Sequence, residues 1–220
     1  MENIDCLDEL IRRYPQLRSL KYKILNAANE LISCYEQGNK VLICGNGGSC
    51  SDSDHIVGEL MKGFENRRQV GDKLKKQLKE IAGERGTYLA GKLQQALPAI
   101  SLTAHSALIT AVSNDIDASL IFAQQVVGYG NEGDVLIGIS SSGNSQNVID
   151  ALIVAKAKRM IIIGLTGETG GKMKSFCDIL INLSGNRTAF VQELHLPVYH
   201  TLCLMIENHF FGKSNSITHH

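Results

Sequence analysis

His55 and Glu59 stand four residues apart. On a helix that spacing puts both on one face, so an imidazole and a carboxylate would point the same way. An imidazole of ordinary pKa, ~6.5, gives or takes a proton near neutrality, and a carboxylate can serve as a base. A second group lies near the C-terminus, where QELHLPVYH brings Gln192, Glu193, His195 and His200 onto one helical segment with Pro197 inside it. The two groups could supply an acid–base pair or a metal site of nitrogen and oxygen ligands. Eight residues separate Gln192 from His200, ~12 Å along a regular helix. Both reach one ion only with extended side chains, a kink at Pro197, or two subunits. Each residue alone reads as ordinary: His55 and Glu59 as surface, His195 as a satisfied histidine.

A third group suits an anion. In ISSSGNSQN, residues 139–147, Ser140, Ser141, Ser142 and Ser145 crowd one turn, and Gly143 admits an unusual backbone angle. Free amides at a helix start, joined by hydroxyl donors, cradle a phosphate monoester. No Lys or Arg lies within the turn, so neutral donors and the helix dipole would do the binding. One serine is expected to cap the helix; four hydroxyls exceed what a cap needs. Two other glycine-rich loops fail their nearest templates. GNGGS at 45–49 approaches a dinucleotide fingerprint, but Cys50 stands where the last glycine belongs. GETGGK at 167–172 is one residue short of a P-loop, and Met173 replaces its Ser or Thr.

Elements must hold these groups in place. Residues 17–35 repeat apolar side chains at helical spacing, with Gly38 as a stop. Short apolar runs without polar alternation recur at 41–44, 99–103, 135–139, 160–165 and 179–183, the signature of parallel strands buried on both faces. Helical patterns over 51–64, 145–158 and 189–211 alternate with them. The order predicts a doubly wound α/β domain of about five strands, with ligands beyond the carboxyl ends of the strands. The loops after Cys44, Thr103 and Ile139 fall there. Residues 65–98 break the rhythm. They read as a helical insertion of two short helices, 72–81 and 87–97, divided by Gly83 and Gly86: a solvated hairpin, or a lid or subunit contact. The whole of 1–220 reads as a single domain, and 214–220 as a mobile tail whose terminal histidines are poor metal ligands.

Composition excludes several classes. The 22 basic and 22 acidic residues balance, so nothing favours nucleic acid or an anionic membrane. Trp is absent, which weakens base stacking. Six cysteines form no C-x-x-C pair and no leader segment is evident, so they are expected as reduced thiols of a cytoplasmic protein. No apolar run is expected to reach the ~20 residues of a membrane span.

The motifs resemble, in order and spacing, those of the sugar isomerase (SIS) family, and within it the phosphoheptose isomerases. They are GNGGS with H-x-x-x-E, SND at 113–115, GDVLIGISSSGNSQNV, IGLTGETGGK and QELHLPVYH, over about 17–207 apart from the insertion. The resemblance implies a three-layer αβα sandwich with a five-stranded parallel, flavodoxin-like sheet, assembled as a homotetramer with sites at subunit interfaces. It implies an aldose–ketose isomerase that converts sedoheptulose 7-phosphate to D-glycero-D-manno-heptose 7-phosphate, towards the heptose of cell-surface glycans. It assigns His55, Glu59, Gln192 and His200 to zinc, and Glu59 and His200 to catalysis. Substrate contacts are implied for Asn46, Gly47, Ser49, Asn114, Asp115, Ser140, Ser141, Ser142, Ser145 and Gln192. Two departures stand out: Lys62 and Gly63 replace a Gly-Arg pair of the family, and the insertion is extra. A non-catalytic SIS module, similar to a DnaA-associating homologue that lacks the Glu, is the alternative from another class. An isomerase of another sugar phosphate is a third reading.

Overall fold

The computed structural model describes residues 3–185 and 187–212; the tail expected at 214–220 lies outside them. The apolar runs form five strands: β1 (Val41–Gly45), β2 (Ala99–Ser101), β3 (Val135–Ser140), β4 (Ile161–Gly167) and β5 (Ile179–Leu183). The helices are α1 (Asn3–Arg13), α2 (Lys21–Glu36), α3 (Gly48–Met61), α4 (Asp72–Lys92), α5 (Ser106–Val112), α6 (Ile121–Tyr129), α7 (Gln146–Ala157) and α8 (Thr188–Phe211). All strand pairs are parallel, in the order β2-β1-β3-β4-β5. Alternate strand residues enter opposite layers, as the two-residue strand period requires. Val41, Ile43, Ile137 and Leu165 pack against α1, α2, α3 and α8. Leu42, Cys44, Leu136 and Ile162 pack against α6 and α7. The expected three-layer αβα fold is the fold observed. Its strand order places a topological switch between β1 and β3, where such sheets bind ligands.

Several elements differ from expectation. Helix α1 was unread: its polar sequence hides the buried Cys6, Leu7, Leu10 and Ile11. A 3-10 turn, Pro15–Leu20, precedes α2 in place of one helix from residue 17. Helix α3 begins inside the glycine loop, at Gly48. Helix α8 runs through Pro197 as one element, and the Thr201 hydroxyl donates to the Pro197 carbonyl at 2.8 Å. Helix α4 is two arms, broken at Ala82 and at Gly83 with φ +51°. A side chain at Gly86 would collide with the Leu78 carbonyl, so the arms cross there. The second arm stops at Lys92 and not at 97, because the chain is drawn into an extended clasp. Gln94 bridges Gln69, and the Gln95 amide donates to Arg68 O at 2.8 Å. Most of the hairpin is solvated, Ile81 included.

Helices α5 and α6, joined by a π turn over Ser113–Asp117 and a 3-10 turn, form a stretch, Ser106–Tyr129, that is long and apolar enough to cross a membrane by length and composition alone. That corrects the expectation of no such run. Asp115 and Asp117 interrupt it, and Phe122 and Val126 spend their apolar surface on the core beside α7. All six cysteines are free thiols, and burial pushes Cys44 and Cys203 up to about 12.

Candidate functional site

Helices α3 and α8 lie side by side and run in the same direction. Gln192 sits against Gly48, where an added Cβ would stand 2.6 Å from its Nε2. Further along, Tyr199 bonds to Asp52 and His55, and beyond them Glu207 takes the Phe64 amide at 2.7 Å. Side-chain partners across this seam therefore climb in step from the glycine loop to the end of α3.

At the far end, three of the predicted residues meet within one protomer. His55 Nε2 is 3.3 Å from Glu59 Oε1. The His55 and His200 rings stand edge to face, centroids 4.9 Å apart. Phe64 packs on His200 at 5.2 Å. Glu59 is 9 % exposed, whereas His55 opens to solvent. Lys62, which replaces the family's expected residue, folds back onto this carboxylate: its Nζ is 2.8 Å from Glu59 Oε2. His200 Nε2 is buried without a partner. Burial, then the neighbouring His55, hold the His200 pKa below the ordinary value, so its ring is neutral near pH 7. A cleft of about 370 Å³ reaches His200 between α1 and α8, with Arg13, Phe64 and Asn66 on its walls.

The loop carrying Phe64 is fixed from below. Glu207, with its side chain wholly out of solvent, accepts the amides of Phe64, Glu65 and Asn66 and the Nε of Arg68 at 2.9 Å. Arg68, equally buried, donates its remaining nitrogens to the carbonyls of Leu60 and Glu59, the last turn of α3. Each guanidinium nitrogen and both carboxylate oxygens thus find a partner, which a buried ion pair needs to be tolerated.

At the near end, the serine turn closes on itself. Ser140 and Ser145 hydroxyls are 3.0 Å apart. Ser145 stands at the N-cap of α7 but makes no side-chain cap bond, contrary to the expectation that one serine would cap. Ser142 Oγ instead takes the Asn144 amide. Gly143 has φ +66°, and a side chain there would strike the Gly170 carbonyl. The 167–173 turn braces the loop: Gly167 N donates to Ser141 O and Met173 N to Gly143 O, both at 3.0 Å. The first glycine loop is tied to this turn by a reciprocal amide pair, Asn46 with Asn147, at 2.8 and 2.9 Å. Asn147 was missed in the sequence, because only the fold shows that two loops 100 residues apart share the switch point.

Other predicted residues fall elsewhere. Gly47 has φ +56° and starts α3. Ser49 is buried against Gly45, turned to the end of β1. Asn114 donates to Asp115 at 2.8 Å on the exposed π turn, and among the described residues no hydrogen bond joins either to the serine turn or to Glu59. His195 corrects its own expectation: fully buried between α8 and β4, it has neither ring nitrogen in a hydrogen bond of good geometry, with only the Thr166 backbone close by.

The expected zinc set does not fit one protomer. Gln192 lies at Gly48, ~12 Å along α8 from His200. Lys62 already occupies Glu59 Oε2, and among the described residues no three His, Cys, Asp or Glu side chains converge as a metal cluster. A metal held by all four residues would require two protomers.

Comparison with known proteins agrees with the fold. A family model described as SIS domain matches residues 78–167. A phosphoheptose isomerase of Nitratidesulfovibrio vulgaris is 37% identical over 189 residues, 86% of this chain and 78% of that protein. One of Burkholderia pseudomallei is 37% identical over 190 residues, 86% and 83% of the two chains. Among solved structures, a phosphoheptose isomerase from Neisseria gonorrhoeae superimposes with TM-score 0.72 at 32% identity, covering 91% of this chain and 94% of that one. Another, from Francisella tularensis, gives 0.71 at 33% identity with the same coverage.

Proposed function

Because the chain belongs to the phosphoheptose isomerases of the sugar isomerase (SIS) family, we propose that it interconverts sedoheptulose 7-phosphate and D-glycero-D-manno-heptose 7-phosphate. The observation that carries the reading is the meeting of Glu59, His55 and His200, distant in sequence, beside a cleft.

In this reading the serine turn and the free amides at the start of α7 hold the phosphate, and Asn46 borders it. Glu59 removes a proton from C1 of the ketose; the C–H electrons form the C1–C2 double bond of an enediolate. His200 Nε2, neutral and unpartnered, carries a proton between O1 and O2. Glu59 then returns a proton to C2, leaving the carbonyl at C1. The Lys62 ammonium, 2.8 Å from Glu59, adds positive charge where the enediolate forms. No step is assigned to zinc.

Spacing supports a shared site. Eleven residues of α3 separate Gly48 from Glu59, ~16 Å along the axis. A heptose 7-phosphate, six C–C bonds of ~1.5 Å in zigzag plus an ester, spans roughly 10 Å from phosphorus to C1. A phosphate held beside the glycine loop at the start of α3 therefore leaves C1 short of Glu59 of the same protomer, which favours a second copy, in a homotetramer, completing the cleft. Six free thiols fit a cytoplasmic enzyme.

Incubation with sedoheptulose 7-phosphate and detection of the aldose tests the activity, beside a panel of other ketose phosphates. Glu59→Gln should remove turnover and leave substrate binding largely intact. Near-normal isomerisation by that variant would defeat the assignment of the base.

A further inference from the structure

Behind the proposed base lies a chain of polar contacts that the reaction scheme leaves unused. Tyr199 Oη donates to Asp52 Oδ1 at 3.2 Å. His55 Nδ1 stands 3.0 Å from the same phenol oxygen. On the other side of the ring, Nε2 faces Glu59 Oε1 at 3.3 Å. Four side chains from two helices thus run in line from a half-buried carboxylate to the reacting one.

Counting hydrogens fixes the direction of the chain. An ionised carboxylate only accepts, and a phenol has one hydrogen to give. Spent on Asp52, that hydrogen is unavailable to His55, so the phenol oxygen can only accept from the ring. A phenol of ordinary pKa, ~10, keeps its hydrogen at neutral pH. His55 Nδ1 must therefore carry a hydrogen in either protonation state. Nε2 is left to face Glu59, and since that carboxylate when ionised also only accepts, the contact becomes a hydrogen bond only when the ring carries a second hydrogen or when Glu59 holds the proton it has taken from the substrate.

We propose that Asp52 and Tyr199 are positioning residues of the isomerase, acting through His55: they keep a hydrogen on Nδ1, set the ring edge-on to His200, and hold Nε2 against Glu59. The inference rests on the proposed function for its catalytic consequence, but the tautomer itself does not. A buried acceptor that imposes one imidazole tautomer has a known cost when reversed, since the wrong tautomer leaves the geometry intact and the chemistry impaired. The amide of Asp52→Asn can donate to the phenol oxygen, which would turn the phenol towards Nδ1 and move the ring hydrogen to Nε2. Tyr199→Phe removes the acceptor and frees the ring to place its hydrogen on Nε2, towards Glu59.

The test uses the full-length protein labelled with ¹⁵N-histidine, with His55 among the seven histidines identified by comparison with His55→Gln. Imidazole ¹H–¹⁵N correlations report the tautomer, before and after dialysis against a chelator, so that a bound metal is not what fixes it. The wild type should show Nδ1–H. Asp52→Asn and Tyr199→Phe should both show Nε2–H, with kcat lower by roughly 10- to 100-fold and KM within about twofold. Tyr199→Phe keeps the test alive where Asp52→Asn fails to fold. A wild-type ring with a hydrogen on Nε2 and none on Nδ1 overturns the proposal. So does a Tyr199→Phe protein with unchanged tautomer and kcat, even if its melting temperature falls. Nδ1–H in a wild type inactive on every sugar phosphate would overturn the positioning role by removing the reaction it serves, and would count separately against the isomerase reading.

Discussion

His195 makes a quantitative prediction about acid. The ring is fully buried, and burial lowers its pKa from 6.5 to about 4. In the unfolded chain it titrates near 6.5. Between those two values the unfolded state binds a proton that the folded state refuses, so stability falls as pH falls. The contribution is intact above about pH 6.5 and is lost progressively down to about 4. At ~1.4 kcal/mol per pH unit, the window costs about 3 kcal/mol in all, and about 2 kcal/mol by pH 5. Replacing the ring by His195→Phe keeps a planar group of similar size and removes both unpartnered nitrogens. That variant should be near neutral at pH 7.5 and should gain about 2 kcal/mol on the wild type at pH 5. Urea unfolding at both pH values, at fixed protein concentration because assembly couples to folding, measures the difference directly. Every other titrating group cancels in the comparison. An equal gap between variant and wild type at the two pH values would refute the reasoning.

Two further outcomes follow from the scaffold of the site. Gly143→Ala, forced to a positive φ and into the Gly170 carbonyl, should cost ~1–3 kcal/mol and weaken phosphorylated sugars far more than free ones, read by calorimetric titration. Glu207→Gln should cost about 3–5 kcal/mol, the usual result of stranding one partner of a buried pair, and chemical denaturation would show it. Burial alone would raise the Glu207 pKa, but the three amides and Arg68 outweigh it and the net shift is downward. The wild type should therefore lose this stabilisation only as pH falls below about 4.5, so its advantage over the Gln variant should shrink across that range; a gap that stays constant there would disprove the role.

The sheet was legible because parallel strands covered on both faces must be apolar at nearly every position, and 41–44, 135–139 and 179–183 are. The serine turn and the His55–Glu59 face were legible because both are local, set by a turn and by one helix. Partners that depend on two helices running in the same direction were not: Asp52 with Tyr199, or Glu207 with the amides of 64–66, lie more than 140 residues apart in the chain. The pairing of Asn46 with Asn147 escaped because only the sheet order brings their two loops to one switch point. Helix α1 escaped for another reason, since four buried side chains among Asp, Glu and Arg make a weak periodic signal. Lys62 and Gly63 stand where the family carries a Gly-Arg pair, and only the fold shows that the flexible stem of Lys62 turns back on Glu59.

The clasp beneath the α4 hairpin is closed from both sides. Gln94 Oε1 accepts from Gly63 and Arg68, and Gln95 bonds to Arg68 and Gln69. Arg68 is in turn locked under α3. The neck therefore ends the mechanical influence of whatever hangs from it. Arms of other lengths, or a foreign sequence spliced between Gln69 and Gln94, would meet the same closed gate, and the chemistry below would not register the change.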